Sequence, residues 1–121
     1  MNVMNIGGIS DGTTQALHLA INGLDARQKA VTANIANIET PDYLARIVSF
    51  EDSLRAALEG GEPTGMTTSV TESMAATRSN GNNVNIDFEI LAEKENVLRQ
   101  RLAVQALNAK YSLLRTAISG Q

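Results

Sequence analysis

From Ile86 to Ser119 the chain carries neither glycine nor proline, the longest such run in its 121 residues. An uninterrupted helix over that span is ~51 Å long at 1.5 Å per residue. The charges agree with a helix: Asp87, Glu89, Glu93 and Glu95 come early, while Arg99, Arg101, Lys110 and Arg115 come late. That order opposes the helix dipole at both ends. Ile90, Val97, Val104, Tyr111 and Ile118 repeat every seven residues, and Leu107 and Leu114 broaden this seam. Leu98, Leu102, Ala106, Ala109 and Leu113 form a second apolar line on a neighbouring face.

A second long helix is expected over residues 14–38, ~37 Å long, after a Gly- and Asn-rich N-terminus (1–13) read as flexible. Leu17, Ile21, Leu24, Gln28, Val31, Ile35 and Ile38 are spaced alternately four and three, a heptad seam with one polar interruption. Gly23 lies inside it and is either a tolerated defect of about 1 kcal/mol or a point of close approach by a neighbouring helix. Pro41 disfavours helical geometry at Thr40, so this helix stops near Asn37 or Ile38.

Residues 39–59 read as a linker and a short helix. Ser49 with Asp52 three residues on matches a capping box. "FEDSLRAALE" places Phe50, Leu54, Ala57 and Leu58 on one face, and Gly60-Gly61 ends it. Residues 60–85 are rich in Gly, Ser, Thr and Asn and poor in large apolar side chains, so the segment is read as flexible. Within it "TTSVT" is a marginal strand. The expected fold is therefore all-α and single-domain: an antiparallel hairpin of 14–38 and 86–119, a short helix between, and a mobile middle.

One partner helix covers one stripe of another. The 86–119 helix offers more apolar surface than 14–38 can cover. Either other protein covers the surplus, as in an assembly subunit, or the short helix does.

Composition excludes several functions. Apolar content is 43 % but aromatics are only 3 %, so a core must be built from aliphatic residues and Met. Net charge is −3 and there is no basic stripe, which argues against nucleic acid. The absence of cysteine excludes disulfides and thiolate metal sites. No run of 18 apolar residues can span a membrane, and "MNVMNIGGISDG" lacks the basic and apolar regions of a cleaved signal. His18, with Ser10 and Asp11, superficially matches a triad, but Ser and Asp are ordinary caps at a helix start. The acidic group at 87–95 matches neither an EF-hand loop nor a Glu-x-x-His motif. No phosphate-binding glycine loop is present. Neither catalysis, a metal nor a cofactor is expected.

One stretch is unexplained by helix rules: "NIANIETPDYLAR", Asn34 to Arg46. Asn34 and Asn37 share a face beside the apolar seam, where a carboxamide both donates and accepts and can fix helix register. Asn37 also suits a helix exit in left-handed geometry. Thr40-Pro41 forces an extended exit, Tyr43 and Phe50 are placed to pack back on the seam, and Arg46 is placed to bind carboxylates or helix-end carbonyls.

This stretch, with "VSFEDSL" after it, closely resembles the N-terminal signature of flagellar basal-body rod proteins of the FlgB type. Asn34, Ile35, Ala36, Asn37, Thr40, Pro41, Tyr43, Ala45, Arg46, Phe50 and Glu51 match that pattern. Ala33, Leu44 and Ile47 depart from it, standing where Ser, Lys and Asp are common. "GNNVNIDFEILAEKENVLRQRLAVQALNAKYSLLRTAISG" resembles the family's Gly-Asn-x-Val opening and long terminal helix. The resemblance covers roughly 14–58 and 81–120.

It implies a structural subunit of the proximal rod, exported unfolded by the flagellar type III apparatus without a cleaved signal. Such a subunit assembles helically in the periplasm with copies of itself, other rod proteins and the ring or export-gate adaptors at the rod base. The motif residues Asn34, Ile35, Asn37, Thr40, Pro41, Tyr43, Arg46 and Phe50 then serve assembly. The alternative is a soluble helical adaptor or chaperone-like dimer that buries the spare seam symmetrically.

Overall fold

The computed structural model describes residues 11–61 and 65–119. Most of the N-terminal segment 1–13, and residues 62–64, lie outside the described residues, as do the side chains of the expected Ser10 and Asp11 caps. Three helices and two short strands follow in the order α1 (Asp11–Ala36), β1 (Arg46–Ser49), α2 (Glu51–Glu59), β2 (Ser69–Glu72) and α3 (Ile86–Ser119).

Helices α1 and α3 form the expected antiparallel pair. Asn34 reaches Glu89 near one end, Asn96 reaches Leu24 and Gln28 midway, and His18 reaches Tyr111 near the other. On α1 the heptad seam is the face that α3 covers. Leu24 and Val31 are buried, and Leu17, Ile21, Gln28, Ile35 and Ile38 are half-buried. The opposite face, Gln15, Asn22, Asp25, Lys29 and Thr32, is exposed and wholly polar.

On α3 the seam lies one residue earlier than the apolar spacing predicts. The buried and half-buried line is Glu89, Glu93, Asn96, Gln100, Ala103, Leu107, Lys110 and Leu114, again at steps of four and three. Of the expected seam Leu107 is buried and Val97 and Leu114 are half-buried, while Ile90, Val104, Tyr111 and Ile118 are exposed. The cause is polar. Asn34 donates to the Glu89 carboxylate at 3.0 Å, and Asn96 donates to the Leu24 carbonyl at 2.9 Å and to Gln28 at 3.0 Å. Buried amides without partners are costly, so these bonds set the rotation of α3 and turn its apolar line aside.

The fold is not all-α. β1 and β2 pair antiparallel, with Arg46 opposite Glu72 and Ser49 opposite Ser69. "TTSVT" thus contains a strand, and the linker ahead of α2 contains its partner. A pairing across 20 or more residues leaves no local period to read. Within the 60–85 segment, expected to be flexible, β2 pairs with β1, and Asn82 and Asn83 bond backbone on either side of it.

Val48 of β1, Phe50 and Leu24 form the core, with Ala30, Leu54, Met66 and Ala103 packed against it. Gly23 is a point of close approach, but to the Phe50 ring rather than to a helix. A Cβ at Gly23 would lie 2.5 Å from that ring. The capping box at Ser49 does not form. Ser49 belongs to β1, and Phe50 is the N-cap of α2 without a side-chain cap bond. Helix α2 packs on α1 and leaves the outer apolar line of α3 uncovered.

Candidate functional site

The motif stretch and the distant "SNGNNV" segment form one polar junction at the end of the helical hairpin. Helix α1 ends at Ala36, and its chain leaves through a turn over 37–39. Asn37 caps that end. Its Nδ2 donates to the Ala33 carbonyl at 2.8 Å, and its Oδ1 accepts from the Thr40 hydroxyl at 3.0 Å. The left-handed residue expected at Asn37 is instead Asp42, φ 62°, the non-glycine with positive φ among the described residues.

Asn34 explains why an amide stands in the seam. Its Oδ1 accepts from the Arg46 N–H at 2.9 Å and from the Tyr43 hydroxyl at 3.1 Å. Its Nδ2 donates to the Arg46 carbonyl at 2.9 Å and to Glu89 at 3.0 Å. Both donors and both acceptor positions are used. Toward Arg46 the carboxamide acts as a one-residue strand, closing the edge of β1 that faces α1. Nearby, Arg27 donates to the Val48 carbonyl at 2.8 Å, so that edge is satisfied again two residues on.

The other side of the junction comes from Asn82 and Asn83. Asn82 is fully buried; its Nδ2 donates to the carbonyls of Asn37 and Thr40, each at 2.8 Å, and its Oδ1 accepts from the Val84 N–H. Asn83 accepts from the Ala45 N–H at 2.7 Å and donates to the carbonyls of Ser73 and Ala75. The Arg78 guanidinium bridges the Val84 carbonyl and the Ile38 carbonyl at the exit of α1. Gly81 sits at φ 83°, and a side chain there would overlap the Asp42 carboxylate. That contact and the Asp42 N–H to Asn80 carbonyl bond, 2.9 Å, close the ring.

A second clamp ties α1 to the start of α2. The Arg27 guanidinium grips Glu51 with two bonds of 2.6 and 2.7 Å and lies over the Phe50 ring, 4.9 Å from its centroid. Hydrogen bonding to Arg27 lowers the Glu51 carboxyl to about 2, against the opposing effect of its partial burial.

Of the predicted motif residues, the structure brings Asn34, Asn37, Thr40 and Tyr43 into the junction. Phe50 enters the core, and Ile35 lies half-buried on the seam. Pro41 is exposed at the turn. Arg46 joins the junction through its backbone. Its guanidinium lies over the Tyr43 ring at 5.9 Å, and the carboxylate and carbonyl contacts expected of it are made by Arg27 and Arg78. Arg27, Arg78, Asn82, Asn83, Glu89 and Asn96 were not legible as site residues. For Asn82 and Asn83 the only signal is the run of asparagines before α3. His18 pairs with the Tyr111 hydroxyl at 3.2 Å rather than with a carboxylate. Among the described residues no group of three or more His, Asp or Glu is arranged to hold a metal ion. No described helix is long and apolar enough to cross a membrane.

The junction and the hairpin together span nearly the whole chain, and so does its similarity to known proteins. The flagellar basal body rod protein FlgB of Bacillus subtilis strain 168 is 32 % identical over 122 aligned positions, covering 90 % of this chain and 95 % of that protein. The chain belongs to the FlgB family of flagellar basal body rod proteins. The FlgB protein of Cereibacter sphaeroides is 31 % identical over 110 positions, 80 % of this chain and 86 % of that protein. That of Yersinia enterocolitica is 34 % identical over 68 positions, about half of each chain. No protein-family profile matches the chain. Both stretches of resemblance to the FlgB type, roughly 14–58 and 81–120, contribute to the junction, the first through Asn34–Arg46 and the second through Asn82 and Asn83.

Proposed function

We propose that this chain is a structural subunit of the proximal rod of the bacterial flagellum, one of the parts that carry torque from motor to hook. One observation carries the proposal beyond family membership. The outer face of α3 presents Leu91, Leu98, Leu102 and Leu113 at 56, 58, 56 and 49 % exposure. A leucine stripe of that length, unmatched by any element among the described residues, suits a subunit whose fold is completed by neighbours. α1 presents water with charged and polar groups, so the assembly contacts belong chiefly to α3.

The junction supplies what such a subunit needs mechanically. Side-chain amides bonded to backbone on three segments hold α1, the β ribbon and α3 at one angle. Asn34, Asn37, Tyr43 and Phe50 act on assembly by fixing this shape. Thr40, Pro41 and Arg46 are exposed and are free to touch a neighbour. The partners are copies of itself, other rod proteins and the adaptors at the rod base. The chain reaches them through the flagellar type III apparatus, without a cleaved signal, to act in the periplasmic rod.

Deletion of the gene in its source organism tests this. Loss of swimming, with membrane rings present but no rod or hook in purified basal bodies, is expected and is reversed by a plasmid copy. Intact rods in a strain without a duplicate gene would reject the rod reading. They would favour the soluble adaptor, whose purified chain would unfold with a concentration-dependent midpoint.

A further inference from the structure

The junction leaves a buried carboxylate without a cation. Glu89 is 4 % exposed. Its Oε1 accepts from Asn34 at 3.0 Å, while its Oε2 takes no hydrogen bond and no Lys or Arg pairs with it among the described residues. Oε2 is not sealed, since the enclosed side-chain atom without a bond among those residues is Asn96 Oδ1. Glu89 lines two clefts, which share Ile47 and Phe88 as well. The first, about 290 Å³, also holds Arg27 and Arg46, which repel a further cation. The second, about 270 Å³, is walled by Ala45, Ile47, Ala75 and Phe88, and Glu89 is the only charged residue in its lining. Phe88, one of two phenylalanines in the chain, is 64 % exposed, and Ile47 is 47 % exposed.

We infer that the second cleft receives a lysine or arginine side chain of a different, basic protein, with the stem against Ile47 and Phe88 and the cationic head at Glu89. A long apolar stem that ends in a cation is the shape selected by an apolar cleft with one carboxylate. A carboxylate withdrawn from water without a counter-charge is costly, so a cation arriving there gains more than at an open surface. The Phe88 ring adds a cation–π contact. A neutral apolar side chain would fill the same space but bury Oε2 unpaired. A second copy has little to offer. Arg27, Lys29, Arg55 and Arg99 are held in ion pairs, Arg78 holds two carbonyls, and Lys110 is half-buried on the α1 seam. The net charge of −3 likewise disfavours a like chain and favours a basic one. The inference rests on the rod reading and adds to it the chemistry of one partner, at a cleft apart from the outer leucines of α3.

In the deletion strain, a plasmid-borne chain carries the photo-crosslinking residue p-benzoylphenylalanine in place of Phe88 or, separately, of Ile47, which lines the same cleft. Wild-type chain in the same strain reports separately on the rod reading. Basal bodies from swimming cells are irradiated, and the adduct is sized and sequenced. The expected adduct joins the chain to a protein of different sequence, beside a lysine or arginine of that protein. Glu89→Gln keeps an acceptor for Asn34, so urea unfolding of the purified chain should match wild type. The same change should lower the adduct by about tenfold or more, and replacing the partner's base by methionine should do likewise. Glu89→Gln alone, without the cross-linker, should reduce the number of complete rods. An adduct with a second copy, an adduct away from any base, no adduct from either position, or rods and adduct indifferent to Glu89→Gln would each overturn the inference while leaving the rod reading intact.

Discussion

The carboxamide of Asn34 bonds both backbone polar groups of Arg46, accepting from its N–H and donating to its carbonyl, each at 2.9 Å. The side chain of a helix residue thereby takes the place of a neighbouring strand. The β ribbon needs that substitute, because β1 lies against α1, and a helix backbone has no free groups to offer an edge.

Asn34→Ala removes both partners of the Arg46 backbone and also those of Tyr43 and Glu89. Leaving a buried polar group unmatched costs about 1–3 kcal/mol. We expect a loss of ~3 kcal/mol in urea unfolding of the purified chain. Asn34→Asp should be worse at neutral pH, since the new carboxylate would face Glu89 and the Arg46 carbonyl. Equal stability of Asn34→Asp and wild type would contradict the bonding described.

Gly23→Ala would be a gain of about 1 kcal/mol in an ordinary helix interior. Here the added Cβ would meet the Phe50 ring at 2.5 Å. Overpacking of this kind costs about 1–3 kcal/mol, so the thermal midpoint should fall. Gly23→Ala combined with Phe50→Leu should recover part of the loss, a coupling that a double-mutant cycle measures directly.

Gly81 and Gly61 both have positive φ, but only Gly81 has a neighbour in the way. Alanine at either position meets the backbone penalty of left-handed geometry, about 1 kcal/mol. Gly81→Ala must also displace Asp42 and should cost ~2 kcal/mol more than Gly61→Ala. Parallel denaturant titrations of the two variants compare them.

Glu51 titrates at about 2 in the fold against 4.5 as its ordinary value. A lowered carboxyl stabilises the fold above its unfolded value and ceases to do so as pH falls through the folded one. The Arg27–Glu51 contribution is therefore present above pH 4.5 and lost between about 4.5 and 2. Solvent reaches half of the Glu51 side chain, so its size is only ~1 kcal/mol. Stability of wild type relative to Glu51→Gln, measured from pH 7 down to 2, should converge across that window.

Both long helices were legible, because 34 residues without glycine or proline and a seam spaced four and three are strong local signals. The face that α3 presents to α1 was not. Its line is Glu89, Asn96, Ala103 and Lys110, and the apolar residues one position later attract any count of hydrophobic spacing. Only the bonds from Asn34 to Glu89 and from Asn96 to Leu24 decide between the two lines, and both join residues more than 50 positions apart. The β ribbon was half legible for a similar reason. "TTSVT" has strand character, but its partner Arg46–Ser49 is four residues long and sits between a proline turn and a helix. Asn34 and Asn37 drew attention because amides are out of place on an apolar seam. Asn82 and Asn83 did not, because amides are commonplace in a segment that reads as loop.

The central claim is that the outer face of α3 is completed by other subunits. Leu98→Glu/Leu102→Glu in the deletion strain tests it most directly, because both side chains are more than half exposed in the lone chain. Electron microscopy of basal bodies, beside circular dichroism and urea unfolding of the purified variant, gives the answer. The account predicts rings without rods from a chain whose helicity and stability match wild type. Complete rods and normal swimming with both glutamates in place would contradict it.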